Sequence, residues 1–178
     1  MGRSGIMCIK VGIFVITLLS IRSVMATTTF IGDYACKVDE KGRVLLPAAF
    51  KKQLSSSSTP DHFVVKKDIF EKCLVLFPGE EWERQCAIIR ESVNPYNKQH
   101  NVFMREFFRG TAEVQLDTGG RLLLPKRLLD TIEAGKELVL AGQDGKIEIW
   151  DKERYEAVSQ PEQDFAALAE SILGGINQ

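Results

Sequence analysis

The sequence predicts an α+β protein made of two tandem units, each containing a strand, a tight turn, a second strand and a helix. A ten-residue pattern occurs twice, at residues 38–47 and 116–125, and its Asp, Gly, Arg and Pro keep one offset of 78 residues. An apolar run and an aromatic residue follow each copy, at residues 74–82 and 147–155. Because self-similarity at a fixed spacing indicates repeated structure, we expect a tandem duplication.

The residue types of the pattern predict a turn between two strands. An Asp side chain can accept hydrogen bonds from backbone amides two residues on, and Gly three positions later suits a positive φ. The aliphatic triplet that follows predicts a strand buried on both faces, and Pro ends the strand before a helix. The turn-forming residues are therefore Asp39, Gly42, Pro47, Asp117, Gly120 and Pro125.

The turn does not require the arginine that follows each glycine, Arg43 and Arg121. A repeated cation at a turn exit is the first indication of function. The structural alternative for Arg43 is a salt bridge to Asp39 that only rigidifies the turn.

Composition and motifs argue against several classes. With 44% hydrophobic and 26% charged residues, the 178-residue chain is ordinary for a globular protein. Its net charge of −1 provides no global positive field, so a nucleic-acid site would have to be a local basic patch. The four cysteines lack metal-ligand spacing, and no nucleophile elbow, phosphate loop or zinc-protease motif occurs. We therefore expect no enzyme, no cofactor and no metal site.

Residues 1–26 have two interpretations. An apolar run at residues 11–19 follows Arg3 and Lys10, which is the outline of a secretory signal peptide too short to span a bilayer. The rival interpretation is that translation begins at Met25 and that the upstream stretch is a mis-assigned start. We favour the start at Met25 because the cysteines suggest no disulfide framework.

The rest of the chain divides at changes of pattern. We expect a first repeat at 27–90, a helical linker at 91–107 and a second repeat at 108–160, with residues 142–145 turning its last hairpin. Apolar residues at helical spacing predict an amphipathic C-terminal helix within 161–178.

The duplicated turn, the segment Leu76-Phe-Pro-Gly-Glu-Glu-Trp82 and the segment Ile147-Glu-Ile-Trp150 resemble the MraZ family. More distantly, each half is similar to AbrB-type DNA-binding domains, and the resemblance covers about residues 27–160. It implies a pseudo-two-fold, swapped-hairpin β-barrel with peripheral helices. It also implies a cytoplasmic, nucleoid-associated repressor of the division and cell-wall gene cluster, with no membrane contact. Such a repressor would bind short direct repeats of double-stranded DNA in its own promoter as a ring-shaped homo-oligomer.

The same resemblance places the DNA contacts on Arg43 and its repeat mate Arg121, with Lys41 beside the first. The second copy has Gly119 where the first has Lys41, so we expect the second turn to bind more weakly.

Two other functions remain open from the sequence. An AbrB-type module could clamp a partner protein in an antitoxin-like role without binding DNA. If the leader is genuine, the chain would instead be a periplasmic binding protein, and N-terminal sequencing of the native protein distinguishes this case.

Overall fold

The computed structural model describes residues 28–54, 61–158 and 165–174. The expectation for residues 1–26 lies outside these ranges. The first half contains β1 (Asp33–Lys37), β2 (Arg43–Leu45), α1 (Ala48–Gln53), β3 (His62–Lys67), β4 (Leu74–Pro78) and α2 (Gly79–Ser92). The helix α3 (Lys98–Phe108) then leads to β5 (Ala112–Gln115), β6 (Arg121–Leu123), α4 (Lys126–Thr131), β7 (Glu137–Gln143), β8 (Lys146–Asp151), α5 (Lys152–Val158) and α6 (Phe165–Leu173). The mixed α+β class is confirmed.

The strands form one six-stranded antiparallel sheet and one two-stranded ribbon. The sheet order is β1-β7-β8-β4-β3-β5, and the ribbon is β2-β6. The first strand of each half pairs with the third strand of the other half, β1 with β7 and β5 with β3. If each strand is replaced by its repeat mate, the same strand order results, read from the opposite edge of the sheet. The strand topology therefore has a pseudo-two-fold symmetry.

The symmetry axis runs through two self-paired positions. Val44 pairs with Leu122, its own mate at the offset of 78 residues. Val75 pairs with Glu148, its own mate at the offset of 73 residues that applies to the fourth strands. The two halves are therefore joined along the ribbon and along the middle of the sheet.

The expected barrel is not closed. Single bridges, Val38 with Val44 and Leu116 with Leu122, connect the sheet strands β1 and β5 to the ribbon. Because each connection is a single bridge, no continuous hydrogen-bonded ladder joins the sheet to the ribbon. The strands β1 and β5 therefore remain the edges of an open sheet.

One hydrophobic core lies between the ribbon, the short helices and one face of the sheet. Alternate residues of the strands point into it, as expected for strands with one buried face. Its fully buried members include Phe30, Leu46, Phe50, Phe63, Leu74, Leu76, Leu122, Leu124, Ile132, Leu138, Leu140 and Ile147. Because both halves supply these residues, neither half has a complete core of its own.

The opposite face of the sheet is covered by equivalent helices, α2 over β3 and β4 and α5 over β7 and β8. The apolar face of α2 packs against α3 of the same chain: the Trp82 ring stacks on Phe107 with 5.7 Å between ring centroids. By contrast, the apolar residues Phe165, Leu168 and Ile172 of α6 are exposed.

Candidate functional site

The first turn is closed by the carboxylate of Asp39. Its Oδ1 accepts hydrogen bonds from the backbone amides of Lys41 and Arg43, both at 2.9 Å. The Gly42 amide donates to the Asp39 carbonyl at 2.9 Å. Gly42 has a φ of +85°, where any residue with a Cβ would be strained. The aspartate thus satisfies amides of the turn, and the glycine supplies its backbone shape.

The second turn repeats this geometry. Oδ1 of Asp117 accepts from the amides of Gly119 at 2.8 Å and Arg121 at 2.9 Å. The Gly120 amide donates to the Asp117 carbonyl at 2.8 Å, and Gly120 has a φ of +72°. In both turns Asp holds the backbone, so side chains rather than turn amides are available to an external anion.

The prolines end the two ribbon strands. Pro47 has a φ of −52° and directly precedes α1, and Pro125 has a φ of −59° and directly precedes α4. Both helices therefore leave the ribbon in the same way, and each begins one residue after its proline.

The ribbon brings the two turns together. The amide of Leu46 donates to the Gly120 carbonyl at 3.0 Å, and the amide of Leu124 donates to the Gly42 carbonyl at 2.9 Å. Each turn glycine is thus hydrogen-bonded to the strand that leaves the other turn. A change in the backbone of one turn is therefore expected to affect the other.

The register sets the two arginines diagonally across the ribbon. Residues in this relation on an antiparallel pair lie roughly 7–8 Å apart. The paired residues are Arg43 with Leu123, Val44 with Leu122 and Leu45 with Arg121. Both arginines therefore belong to one face of the ribbon.

That face is open to solvent. Leu45 is 53% and Leu123 is 56% exposed, whereas Val44 and Leu122 point into the core. The expectation that the triplet is buried on both faces is wrong, because the ribbon has the core on one side only. The outer face consists of two cations at its ends and two leucines between them.

Each arginine forms an ion pair with its turn aspartate. Arg43 Nε donates to Asp39 Oδ2 at 2.7 Å, and Arg121 Nε donates to Asp117 Oδ2 at 2.9 Å. The salt bridge of the structural alternative is thus present. Only Nε is used, so within the described residues the terminal Nη1 and Nη2 atoms donate to no protein acceptor. The aspartate fixes the guanidinium and leaves its outer end available to a ligand.

The hydrogen bonds also change the acidity of the two carboxyl groups. The amide of Arg43 lowers the pKa of Asp39 most, followed by its side chain and the Lys41 amide, although partial desolvation opposes them. The amide of Arg121 has the corresponding effect on the pKa of Asp117. Both carboxylates are therefore charged in the neutral range.

These shifts predict acid sensitivity of the turns. A carboxyl whose folded pKa lies below its ordinary value of 3.8 stabilises the fold above that pH, and the contribution is lost as pH falls through the folded pKa. We expect the Asp39→Asn, Asp117→Asn double variant to melt below wild type at pH 7 and to approach wild type below about pH 4. Thermal unfolding followed by circular dichroism from pH 7 to 3 measures this. A gap in melting temperature that stays constant over this range would contradict it.

A cation that the sequence did not suggest lies at the second turn. A Cβ on Gly120 would lie 2.7 Å from Nζ of Lys51, a residue of α1 in the first half. The repeat mate of Lys51 is Leu129, which lies against Gly42 in the same way, with Cδ1 at 3.6 Å from the corresponding Cβ position. The sequence feature that could have indicated this cation is the difference in polarity between the repeat mates Lys51 and Leu129.

Other kinds of site are absent from the described residues. Across 28–54, 61–158 and 165–174, no three His, Cys, Asp or Glu side chains are grouped so that they could hold a metal ion. Within the same ranges, no helix combines the length and apolar composition needed to cross a bilayer. The ribbon face is therefore the candidate site that the sequence and the geometry share.

Comparison with known proteins identifies the family. The family model described as MraZ protein matches residues 29–101 and again residues 107–174. The chain belongs to the MraZ family. A transcriptional regulator MraZ of Christiangramia forsetii is 43% identical over 145 residues, which cover 81% of this chain and 92% of that protein. A transcriptional regulator MraZ of Flavobacterium psychrophilum is 41% identical over 150 residues, covering 84% and 94%. The two matches of the family model each contain one Asp–Arg turn.

Proposed function

We propose that the protein is a transcriptional regulator that binds double-stranded DNA with the outer face of the β2–β6 ribbon. The observation that carries this proposal is the pair of congruent turns, which present Arg43 and Arg121 on one exposed face. The names of its relatives, transcriptional regulator MraZ, support the regulatory role.

The chemistry of the face fits a duplex. With Nε held by aspartate, the Nη1 and Nη2 pair of each arginine can donate two hydrogen bonds to a guanine edge, which is the commonest specific contact in the major groove. Lys41, exposed in the first turn, would contact a phosphate. A two-stranded ribbon is also narrow enough to enter the major groove.

The negative net charge does not exclude this function. A chain with a net charge of −1 binds DNA poorly through any general field. Several weak basic turns at a fixed spacing gain avidity when they bind together. We therefore infer a homo-oligomeric ring that arrays its ribbons along short direct repeats. The exposed apolar residues of α6 support a contact between copies.

The remaining parts of the proposal follow the family resemblance. The protein would act in the cytoplasm, at the nucleoid, as a repressor of the division and cell-wall gene cluster that includes its own promoter. The exchange of strand pairing between the halves supports the swapped-hairpin relation to AbrB-type domains.

The test is a titration of the full chain onto DNA from its own upstream region at several salt concentrations. We expect preference over scrambled DNA and a linear fall of log binding constant with log salt, by about 0.9 for each phosphate contact. A steep slope without preference would indicate non-specific binding only. If neither is seen, the antitoxin-like module that binds a protein partner becomes the better hypothesis.

A further inference from the structure

We propose that Lys51 of the first half completes the DNA site of the second turn by contacting a backbone phosphate. This inference rests on the proposed function of the ribbon face and adds a residue to it. The sequence indicated a weaker second turn because Gly119 replaces Lys41 there. The structure supplies the missing cation from the opposite half of the chain.

The Lys51 ammonium lies beside the left-handed glycine of the second turn. The Lys51 side chain crosses Gly120: a Cβ there would meet Nζ at 2.7 Å, Cδ at 3.3 Å and Cε at 3.5 Å. Because Gly120 has no side chain, the lysine can lie directly against the turn that carries Arg121. Lys51 also lines an open groove with the turn residues 117–120, Leu54, Asp61 and Leu116.

The ammonium group has no protein partner in the part of the chain that the structure describes. No carboxylate there lies within ion-pair distance of Lys51 Nζ, including that of Asp117 in the same groove, and no side-chain hydrogen bond of Lys51 is formed. The residue is exposed. An unneutralised cation beside a turn that carries an arginine is an arrangement that can bind a phosphodiester.

Pseudo-symmetry explains why only one half needs this lysine. In the first turn Lys41 comes from the turn itself, and the apolar Leu129 fills the position equivalent to Lys51. In the second turn Gly119 leaves the turn without its own lysine, and Lys51 occupies the equivalent place. Each turn therefore has an arginine and an adjacent lysine, although Lys41 and Lys51 come from different elements.

Acidic residues near each turn offset part of its positive charge. The first turn carries Asp39 and Glu40, whereas the second carries Asp117 and has Thr118 where the first has Glu40. Asp61 lies in the groove of the second turn and restores one negative charge. Over these residues the two turns carry equal charge, whereas the groove of the first turn also contains Lys126, Lys136 and Asp130, which add one positive charge. We infer that Lys51 brings the second turn close to the first in binding strength.

The test compares Lys51→Gln with Lys41→Gln in the full chain on the upstream DNA. Each change should remove one phosphate contact per engaged subunit. We expect the binding constant to fall on the order of tenfold at about 0.1 M salt, and the salt slope to fall by about 0.9 for each such contact. Lys51→Arg should restore both values. Lys98→Gln is the matched control, because Lys98 is an exposed lysine at the start of α3 and away from the ribbon.

The outcomes separate the two proposals. If wild type and Lys98→Gln bind specifically but Lys51→Gln keeps the wild-type slope, the inference about Lys51 is overturned and the proposed function stands. A lower melting temperature of Lys51→Gln with an unchanged slope would likewise overturn it, by showing that the lysine only shields Gly120. If wild type shows neither preference nor salt dependence, both proposals are overturned.

Discussion

Replacing Arg43 by alanine is expected to abolish specific DNA binding while leaving the protein folded. Each subunit that engages DNA would lose a base-edge contact worth about 1–3 kcal/mol, or roughly 5- to 150-fold in affinity. The loss is repeated over the subunits that bind together, so the operator complex should disappear at concentrations where wild type is saturated. Fluorescence anisotropy with the upstream DNA measures this, and size-exclusion chromatography checks that assembly is unchanged.

Stability should change little in this variant. Asp39 Oδ1 keeps its bonds to the backbone amides of residues 41 and 43, which alanine also provides. The lost ion pair is solvent-exposed, and such pairs contribute little. Arg109→Ala is a matched control, since Arg109 has an exposed pairing with Glu106 at 2.8 Å and lies outside the ribbon.

Arg121→Ala should also weaken binding, and by a similar factor if Lys51 supplies the cation that the second turn lacks, as we propose. An Arg43→Ala protein that binds the upstream DNA with wild-type affinity and salt slope would place the interface elsewhere. In that case the role of Arg43 would be confined to its ion pair with Asp39.

Gly42→Ala is expected to destabilise the fold strongly. A non-glycine residue at a φ of +85° costs on the order of 1–3 kcal/mol. The new Cβ would also lie 2.6 Å from the Leu124 carbonyl oxygen, a backbone atom that cannot rotate away. Since Leu124 donates to the Gly42 carbonyl, any shift would disturb the pairing of the two turns. Urea denaturation should show a loss of at least about 1–3 kcal/mol in the free energy of unfolding.

Gly119→Ala provides the internal comparison, because it is the same change in the paired turn. Gly119 does not have a left-handed φ, and its mate Lys41 shows that a side chain is accepted at this place in the turn. Its Cβ would touch only exposed side-chain atoms, Asp117 Oδ1 at 3.2 Å and Arg121 Nε at 3.3 Å. We expect a change within about 0.5 kcal/mol. Equal losses of unfolding free energy in the two variants would mean that the left-handed backbone at Gly42 is not the reason that a glycine is needed there.

The sequence could predict the local structure of each half because local patterns determine it. Asp39, Gly42 and Pro47 each have one role in a strand–turn–strand–helix unit, and their repetition at a constant offset made the duplication visible. The two turns and the helices that follow them lie where these residues indicate. The contact of Arg43 with DNA and the division into repeats at 27–90 and 108–160 stay predictions.

The parts that the sequence did not predict depend on contacts between the halves. Gly142 was assigned to the last hairpin turn, yet it continues β7, and the turn is formed by Asp144 and Gly145. Gly142 is small for a different reason: a Cβ there would lie 2.6 Å from the backbone of Phe30, which passes beside it. The exposure of Leu45 and the placement of Lys51 have the same origin. No pattern within one segment records which distant segment will lie against it.

The self-paired positions on the pseudo-two-fold axis have a consequence for how the chain can vary. In a dimer of identical chains, a residue on the axis always meets its own copy, so one mutation changes both partners at once. Here the two paired residues are encoded at separate positions of one chain, so each can change alone. Val75 can face Glu148, and Lys51 can serve one turn while Leu129 serves the other. Joining two similar halves in one chain therefore lets a symmetric scaffold carry an asymmetric set of ligand contacts, and each contact can be adjusted without a matching change at its mate.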